Sequence, residues 1–313
     1  MSSSYDVLVT GSAGHLGTAL MLSLPSLGFK PLGIDILSSP TTTLVGSVSD
    51  RDFIASIFDP YPIRHVLHAA TLHKPHVCSH SKEQFISTNI VGTLILLEES
   101  SRFRAQIESF IFFSTTSTFG MALSPKPGHP AAWIDESVVP VPKSCGRGYV
   151  RTDAEAKWNA RFGSPHYVKT TMKTVARPWP MRTSKVLELA YRRCDLDDIV
   201  SASVCAMGRA KDILWGKYII SAPPPFNNDI QTLNALNRNP AEVLRKEFPE
   251  LDIVFEEKGW KHLARIDRVY DSSWAVKDLG WNPKYTFEKT VQRLVRGEQW
   301  KSDLTVKRNY LQP

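Results

Sequence analysis

Cysteine is scarce in this sequence. Its four examples, Cys78, Cys145, Cys194 and Cys205, stand far apart and form no C-x-x-C pair. That spacing excludes a disulfide framework and a structural zinc site of the familiar kind, and it fits a reducing, cytoplasmic compartment. Long hydrophobic runs are also missing. None approaches the roughly 20 residues a membrane helix requires, so no membrane partner is expected. Internal repeats and low-complexity tails are absent, which removes solenoids and disordered arrays from consideration.

What is present is the composition of a globular chain: 313 residues, 42% of them apolar, with scattered charge. The net charge of +7 is unevenly spread. Between Lys143 and Arg193 there are twelve Lys/Arg against Asp153, Glu155 and Glu188, a surplus that exceeds the whole-chain value. The apolar pattern alternates between two kinds of segment. "DVLVTG", "PLGIDIL", "RHVLHAA" and "SFIFFSTTSTFG" read as buried strands. "HLGTALMLSLPSLG", "RDFIASIF" and "STNIVGTLILLEES" read as helices between them. Strands alternating with helices predict a doubly wound parallel sheet, an α/β fold of the Rossmann type. From Met121 to Ser144 proline is frequent and periodicity weak, which predicts a long loop beyond a strand's carboxyl end, where ligand crevices lie. A capped helix over "DLDDIVSASVCAMGRA", a strand at "GKYIIS" and a mixed C-terminal part follow. The expected division is a nucleotide-binding domain over 1–190 and a smaller α+β substrate lobe over 191–313 that returns elements to the first.

"TGSAGHLG" places Gly11, Gly14 and Gly17 at the first strand-to-helix turn. Glycine there permits a tight turn and lets a pyrophosphate approach the backbone, while the helix N-terminus offers unpaired N–H groups and a positive dipole end. Asp35 ends the second strand at the interval expected of a carboxylate that accepts ribose hydroxyls and repels a 2′-phosphate. NAD is therefore the expected dinucleotide, in preference to NADP.

These glycines, with "HVLHAAT", "TNIVGT", "STTSTFG" and a C-terminal stretch passing through "LGWNP", resemble the extended short-chain dehydrogenase/reductases, the NAD-dependent epimerase/dehydratases. The resemblance covers most of the chain and implies the cofactor contacts. Gly11, His15 and Leu16 would lie at the pyrophosphate, Asp35 at the adenosine ribose, Ala69, Ala70 and Thr71 beside the cofactor, and Asn89 on the helix behind it. Ser47 and Val48 stand where the family has an Asp and an apolar residue at the adenine, so the carboxylate contact is lost. The family also implies a small-molecule substrate carrying a hydroxyl or carbonyl, sugar-derived or a secondary metabolite, and often a homodimer.

Catalysis in such enzymes needs a phenol that exchanges a proton while hydride moves. Free tyrosine has a pKa of about 10, so a lysine one helical turn on normally stabilises the phenolate, and a Ser or Thr hydroxyl orients the substrate oxygen. By resemblance those roles fall to Tyr149 and Thr115. Position 153, however, is aspartate, whose charge raises a neighbouring phenol's pKa. Lys157 is two turns on, about 12 Å along a helix, too far to substitute. The run from Arg177 to "CDLDD" is shorter than usual, and the asparagine that nucleotide-sugar enzymes carry after the preceding strand is missing. Likeness stops and restarts abruptly around 145–184, as an altered reading frame or splice choice would also produce.

Other signals have plainer explanations. His65, His68, His73, His76 and His80 cluster near one strand end, but no further ligand completes a set, and no metal is expected. Trp215, Trp260, Trp274, Trp281 and Trp300 are expected to pack a C-terminal core. Three functions compete: an NAD-dependent oxidoreductase, epimerase or dehydratase using Tyr149 and Thr115; an NAD-binding sensor or scaffold without efficient turnover; and an RNA binder using the basic segment, recognisable by salt-dependent retention. Nucleic acid is the partner in the third reading only. Returning the ammonium with Asp153→Lys is expected to raise turnover strongly across a panel of hydroxy and keto compounds. Equal inactivity of both forms would show that the crevice itself is incomplete.

Overall fold

The computed structural model describes residues 4–123, 125, 128–139, 167–171 and 183–310. These fall into two compact units. One contains residues 4–113, 167–170 and 203–216; the other contains 114–139, 171, 183–202 and 217–310 with the gaps just stated.

In the first unit the apolar run Val7–Thr10 forms β1, all four residues buried, as expected of a parallel strand covered on both faces. β2 (Pro31–Asp35), β3 (Leu44–Val45), β4 (His65–His68) and β5 (Ser109–Ser114) follow, and β1 pairs in parallel with both β2 and β4. With β7 (Tyr167–Thr171) and β8 (Trp215–Ile219) they make a seven-stranded sheet in the order β3-β2-β1-β4-β5-β7-β8. The doubly wound α/β expectation holds. The order reverses between β1 and β4, and the crevice outside their carboxyl ends is where such folds take ligands.

The helices follow from local signals. α1 (His15–Ser23) leads into a 3₁₀ turn that ends at Gly28, whose φ of 87° places it in the left-handed region. α2 (Arg51–Phe58) starts where Asp50 accepts a hydrogen bond from Phe53 N at 3.1 Å, and it buries Ile54, Ile57 and Phe58. A short α3 (Lys82–Ile86) begins in a capping box of Ser81 and Gln84. The helix expected from Ser87 does not begin as an α-helix: Ser87–Val91 is a π turn, closed by Gly92 N donating to Ser87 O, and α4 proper is Gly92–Arg102. β5 likewise stops short of its expected end. Thr115 O accepts from both Thr118 N and Thr118 Oγ1, at 3.2 and 2.9 Å, so Thr116–Phe119 curls into a 3₁₀ turn. A core of Leu8, Leu32, Ile34, Val66, Ile95 and Phe110 lies between sheet and helices.

The second unit is helical, around Val186, Leu236, Leu244, Leu251, Phe287 and Val291. It also contains a strand in the proline-rich stretch expected to be loop: β6 (Ala132–Ile134) pairs in parallel with β9 (Arg268–Tyr270). The helix Leu196–Ile213 carries Asp198, which is fully buried and accepts from Lys284 N and Tyr285 N at 2.7 and 2.8 Å. Trp281 beside it is 1% exposed and donates to Asp198 O. Of the tryptophans expected in a core, Trp260, Trp281 and Trp300 pack inward, but Trp215 and Trp274 are 46% and 45% exposed. The segment "MKTVARPWPM", 172–181, whose sequence resembles the family's next strand, lies outside the described residues. Among the described residues no helix is long and apolar enough to cross a membrane.

Glu136, after β6, is buried. One carboxyl oxygen accepts from Ile219 N at 2.5 Å and the other has no partner. Burial pushes its pKa up to about 7, and burial similarly raises Asp198 to about 6. A carboxyl that binds its proton more tightly when folded stabilises the fold fully below its unfolded pKa, and that contribution is lost as pH rises through the folded value. For Glu136 the window runs from its ordinary 4.5 to about 7. Glu136→Gln should therefore flatten the decline in that range by about 2–3 kcal/mol, gaining on wild type at pH 8 and not at pH 4.5. Urea unfolding midpoints at the two pH values measure this, and parallel profiles for the two proteins would refute it.

Candidate cofactor site

The first unit's crevice is built on backbone, not on side chains. Gly11 follows β1 with φ of 70°, a conformation that a side chain strains. A Cβ there would stand 2.8 Å from both Cα and N of Ala70, so the turn lies directly against the segment leaving β4. At Gly17 a Cβ would stand 2.0 Å from Gly11 O, so the helix seats on the turn only because both positions are bare. Gly14 differs: its backbone is extended, it is exposed, and a Cβ would meet only Gly11 O at 3.0 Å. Its other side opens outward. The turn itself is closed by Gly14 N donating to Gly11 O, while Ser12 N donates to Ile34 O of β2.

Gly14 also begins α1, with no side-chain cap and no acidic residue in the first turn, which contains His15 and Leu16. The positive end of that helix is thus left for an anion. Asp35, at the carboxyl end of β2, accepts from Ala13 N through one oxygen and from Leu37 N through the other, both at 3.0 Å. Two carboxylate oxygens offer about four acceptor positions, so ribose hydroxyls can still be received by a group already held in place. These residues meet the requirements of a dinucleotide: a bare cradle, an uncapped helix end and an oriented acid.

On the other side of the reversal point, Ala69 N donates to Thr10 O and Ala70 N to Thr10 Oγ1, at 3.3 and 3.1 Å. Asn89, in the π turn, accepts from Leu72 N and donates to Leu72 O, both at 2.8 Å, and Thr71 Oγ1 donates to its side-chain oxygen. Ala69, Ala70, Thr71 and Asn89 are thus brought together. Ser47 Oγ accepts from Ser49 N, and Val48 is buried, in a place where a Cβ on Gly92 would meet its Cγ2 at 2.7 Å. His73, His76 and His80 stack edge to face with centroids 4.7 and 5.3 Å apart, and burial, then the neighbouring imidazoles, lower the pKa of His76. Among the described residues no three His, Cys, Asp or Glu side chains are placed to hold a metal.

Thr115 belongs to the second unit, directly after β5. Tyr149, Asp153 and Lys157 lie outside the described residues. The Tyr-x-x-x-Lys spacing does occur at Tyr285 and Lys289. Tyr285, however, precedes the cap of the helix Phe287–Val295, donates its N–H to Asp198 and lies under Arg293, so it joins that unit together. Sequence reasoning did not find Thr10 and Thr93 or give His68 a role. The signal available was weak: single hydroxyls at the end of a strand and on a helix.

Residues 7–141 match the family described as NAD dependent epimerase/dehydratase. That match takes in less than half of the chain and falls mainly on the first unit. The UDP-glucose 4-epimerase of Yersinia pestis is 30% identical over 129 residues, 36% of this chain and 38% of that enzyme. The chain thus matches about two fifths of the length of such relatives. UDP-glucuronate 4-epimerase 6 of Arabidopsis thaliana is 27% identical and covers 93% of the chain and 71% of its own length. Among solved structures, a UDP-glucose 4-epimerase has a TM-score of 0.61 at 18% identity, covering 97% of this chain and 98% of its own. A short-chain dehydrogenase/reductase superfamily protein from Agrobacterium tumefaciens with bound NAD has a TM-score of 0.62 at 15% identity, with 93% and 96% covered. Those two likenesses are of fold. NAD is the cofactor the family's description names.

Two glycine substitutions separate packing from ligand approach. Gly17→Ala forces its methyl into Gly11 O and should destabilise the fold by more than about 2 kcal/mol. Gly14→Ala, whose methyl meets only Gly11 O at 3.0 Å on an exposed turn, should melt within a few degrees of wild type yet weaken NAD binding about tenfold, ~1.4 kcal/mol. Thermal melting and calorimetric titration read the two effects, and equal losses in both variants would refute the distinction.

Proposed function

We propose that this chain binds NAD and is an epimerase/dehydratase-type enzyme acting at a hydroxyl-bearing or carbonyl carbon of a sugar-derived small molecule. The observation that carries this reading is the bare cradle of Gly11, Gly14 and Gly17 at the reversal point of the sheet, with Asp35 held beside it. UDP-sugar epimerases among the relatives support a nucleotide sugar as the substrate class. NAD supplies a nicotinamide ring that takes and returns a hydride. Gly14 and the N-terminus of α1 hold the pyrophosphate, Asp35 accepts the adenosine ribose hydroxyls, and the 69–72 segment forms a wall beside the cofactor. Thr115 orients the substrate oxygen, and Tyr149 exchanges the proton at that oxygen. A catalyst here works with a phenol whose fourth residue on is Asp153, so its phenolate lacks the usual neighbouring ammonium. The same substitution supports a second reading, an NAD-binding protein with little turnover.

Calorimetric titration with NAD and NADP, and absorbance of the nicotinamide in the presence of UDP-sugars, test the proposal. NAD should bind at least tenfold more tightly than NADP, because Asp35 repels a 2′-phosphate. Asp35→Asn retains an acceptor and removes the charge, and should narrow that preference by about tenfold. Absence of binding by either dinucleotide would defeat both readings, while tight NAD binding with no turnover on any sugar would select the second.

A further inference from the structure

His68 is the last residue of β4, 1% exposed, with its ring against Phe110 and Phe112. Its Nδ1 lies 2.7 Å from Thr10 Oγ1 and its Nε2 lies 2.9 Å from Thr93 Oγ1. The proton positions in this chain follow from its two ends. Thr93 Oγ1 gives its only proton to Asn89 O at 2.8 Å, so toward His68 it can only accept, and Nε2 must carry the ring proton. Nδ1 is then an acceptor and takes the Thr10 hydroxyl proton. Thr10 Oγ1 in turn accepts from Ala70 N at 3.1 Å. One directional chain therefore joins Asn89, Thr93, His68, Thr10 and Ala70, with each proton donated once.

The ends of this chain coincide with the cofactor wall. Ala70 is the residue whose backbone lies against Gly11, and Asn89 grips Leu72 through both N–H and C=O. A second proton on His68 would occupy Nδ1 and remove the acceptor that takes the Thr10 hydroxyl proton. Consistently, burial lowers the pKa of His68 to about 3. The ring is thus a fixed neutral spacer across the physiological range.

We propose that His68 is a positioning residue: in its Nε2–H tautomer it joins β1 to α4 and holds the 69–72 segment where it walls the dinucleotide. The NAD consequence rests on the reading given under Proposed function; the holding of the segment does not. The role so assigned is to place the cofactor and involves no chemistry of its own.

The test uses the full chain with His68→Phe, which retains a ring and removes both nitrogens, and Thr93→Val, which removes one link. Three quantities are read: thermal melting, NAD affinity by calorimetry, and hydrogen exchange at the Ala70 and Leu72 amides without NAD. Support is NAD binding weakened about tenfold in folded variants, with exchange at Ala70 and Leu72 accelerated about tenfold more than at β1 and β4 amides. Unchanged affinity and exchange, or acceleration spread evenly over all amides, overturns the proposal. Should wild type bind no NAD, the functional reading fails and the selectivity of exchange alone decides this one. If His68→Phe does not fold, Thr93→Val decides. A ring nitrogen spectrum of His68 with the proton on Nδ1 overturns it independently.

Discussion

Gly11 and Ala70 approach so closely that no side chain fits between them, and the first unit's crevice is organised around that contact. A turn pressed against a strand end brings the N-terminus of α1 to the crevice without a side-chain cap. The same bareness at Gly17 lets the helix sit low on the turn. Because the constraint is steric and between main-chain atoms, it does not depend on pH or salt. Electrostatics then adds to a shape already set: the α1 terminus favours an anion, and Asp35, oriented by two amides, favours hydroxyls over a second phosphate.

Buried polar groups serve here in two ways. In the first, a neutral imidazole and two hydroxyls connect strand to helix with no net charge, so low dielectric strengthens each bond and no ion has to be desolvated. In the second, carboxyls are buried: Asp198 receives two amides from the 284–285 turn, and Asp195 accepts from Ser302 and Thr305. Those acids gather distant C-terminal segments, and burial raises the pKa of Asp198, which makes its contribution to stability pH-dependent.

Much of the sheet was legible because parallel strands buried on both faces leave unbroken apolar runs, as in "VLVT" and "HVLH". The glycine cradle was legible for a related reason, being a local backbone requirement that only one residue type meets. β6 was not, because three residues among prolines gain strand character only from β9, far along the chain. Nor was the His68 chain, whose partners lie 58 and 25 residues away and whose members look like ordinary strand and helix residues. The end of β5 was misread because threonine hydroxyls compete for the carbonyls a strand would use. Asp35 was found as an acid at the right interval, but its two amide partners depend on how the turn folds.

The π turn at Ser87–Val91 has a consequence for how this helix can vary. An extra residue in one turn advances every later side chain by about 100° around the axis relative to an unbroken α-helix. Removing one residue there would regularise the hydrogen bonds and lengthen α4, yet swing Asn89 away from Leu72 or Thr93 away from the imidazole. Local irregularity and long-range registration are thus the same feature, and a more ideal helix would make a poorer nucleotide fold.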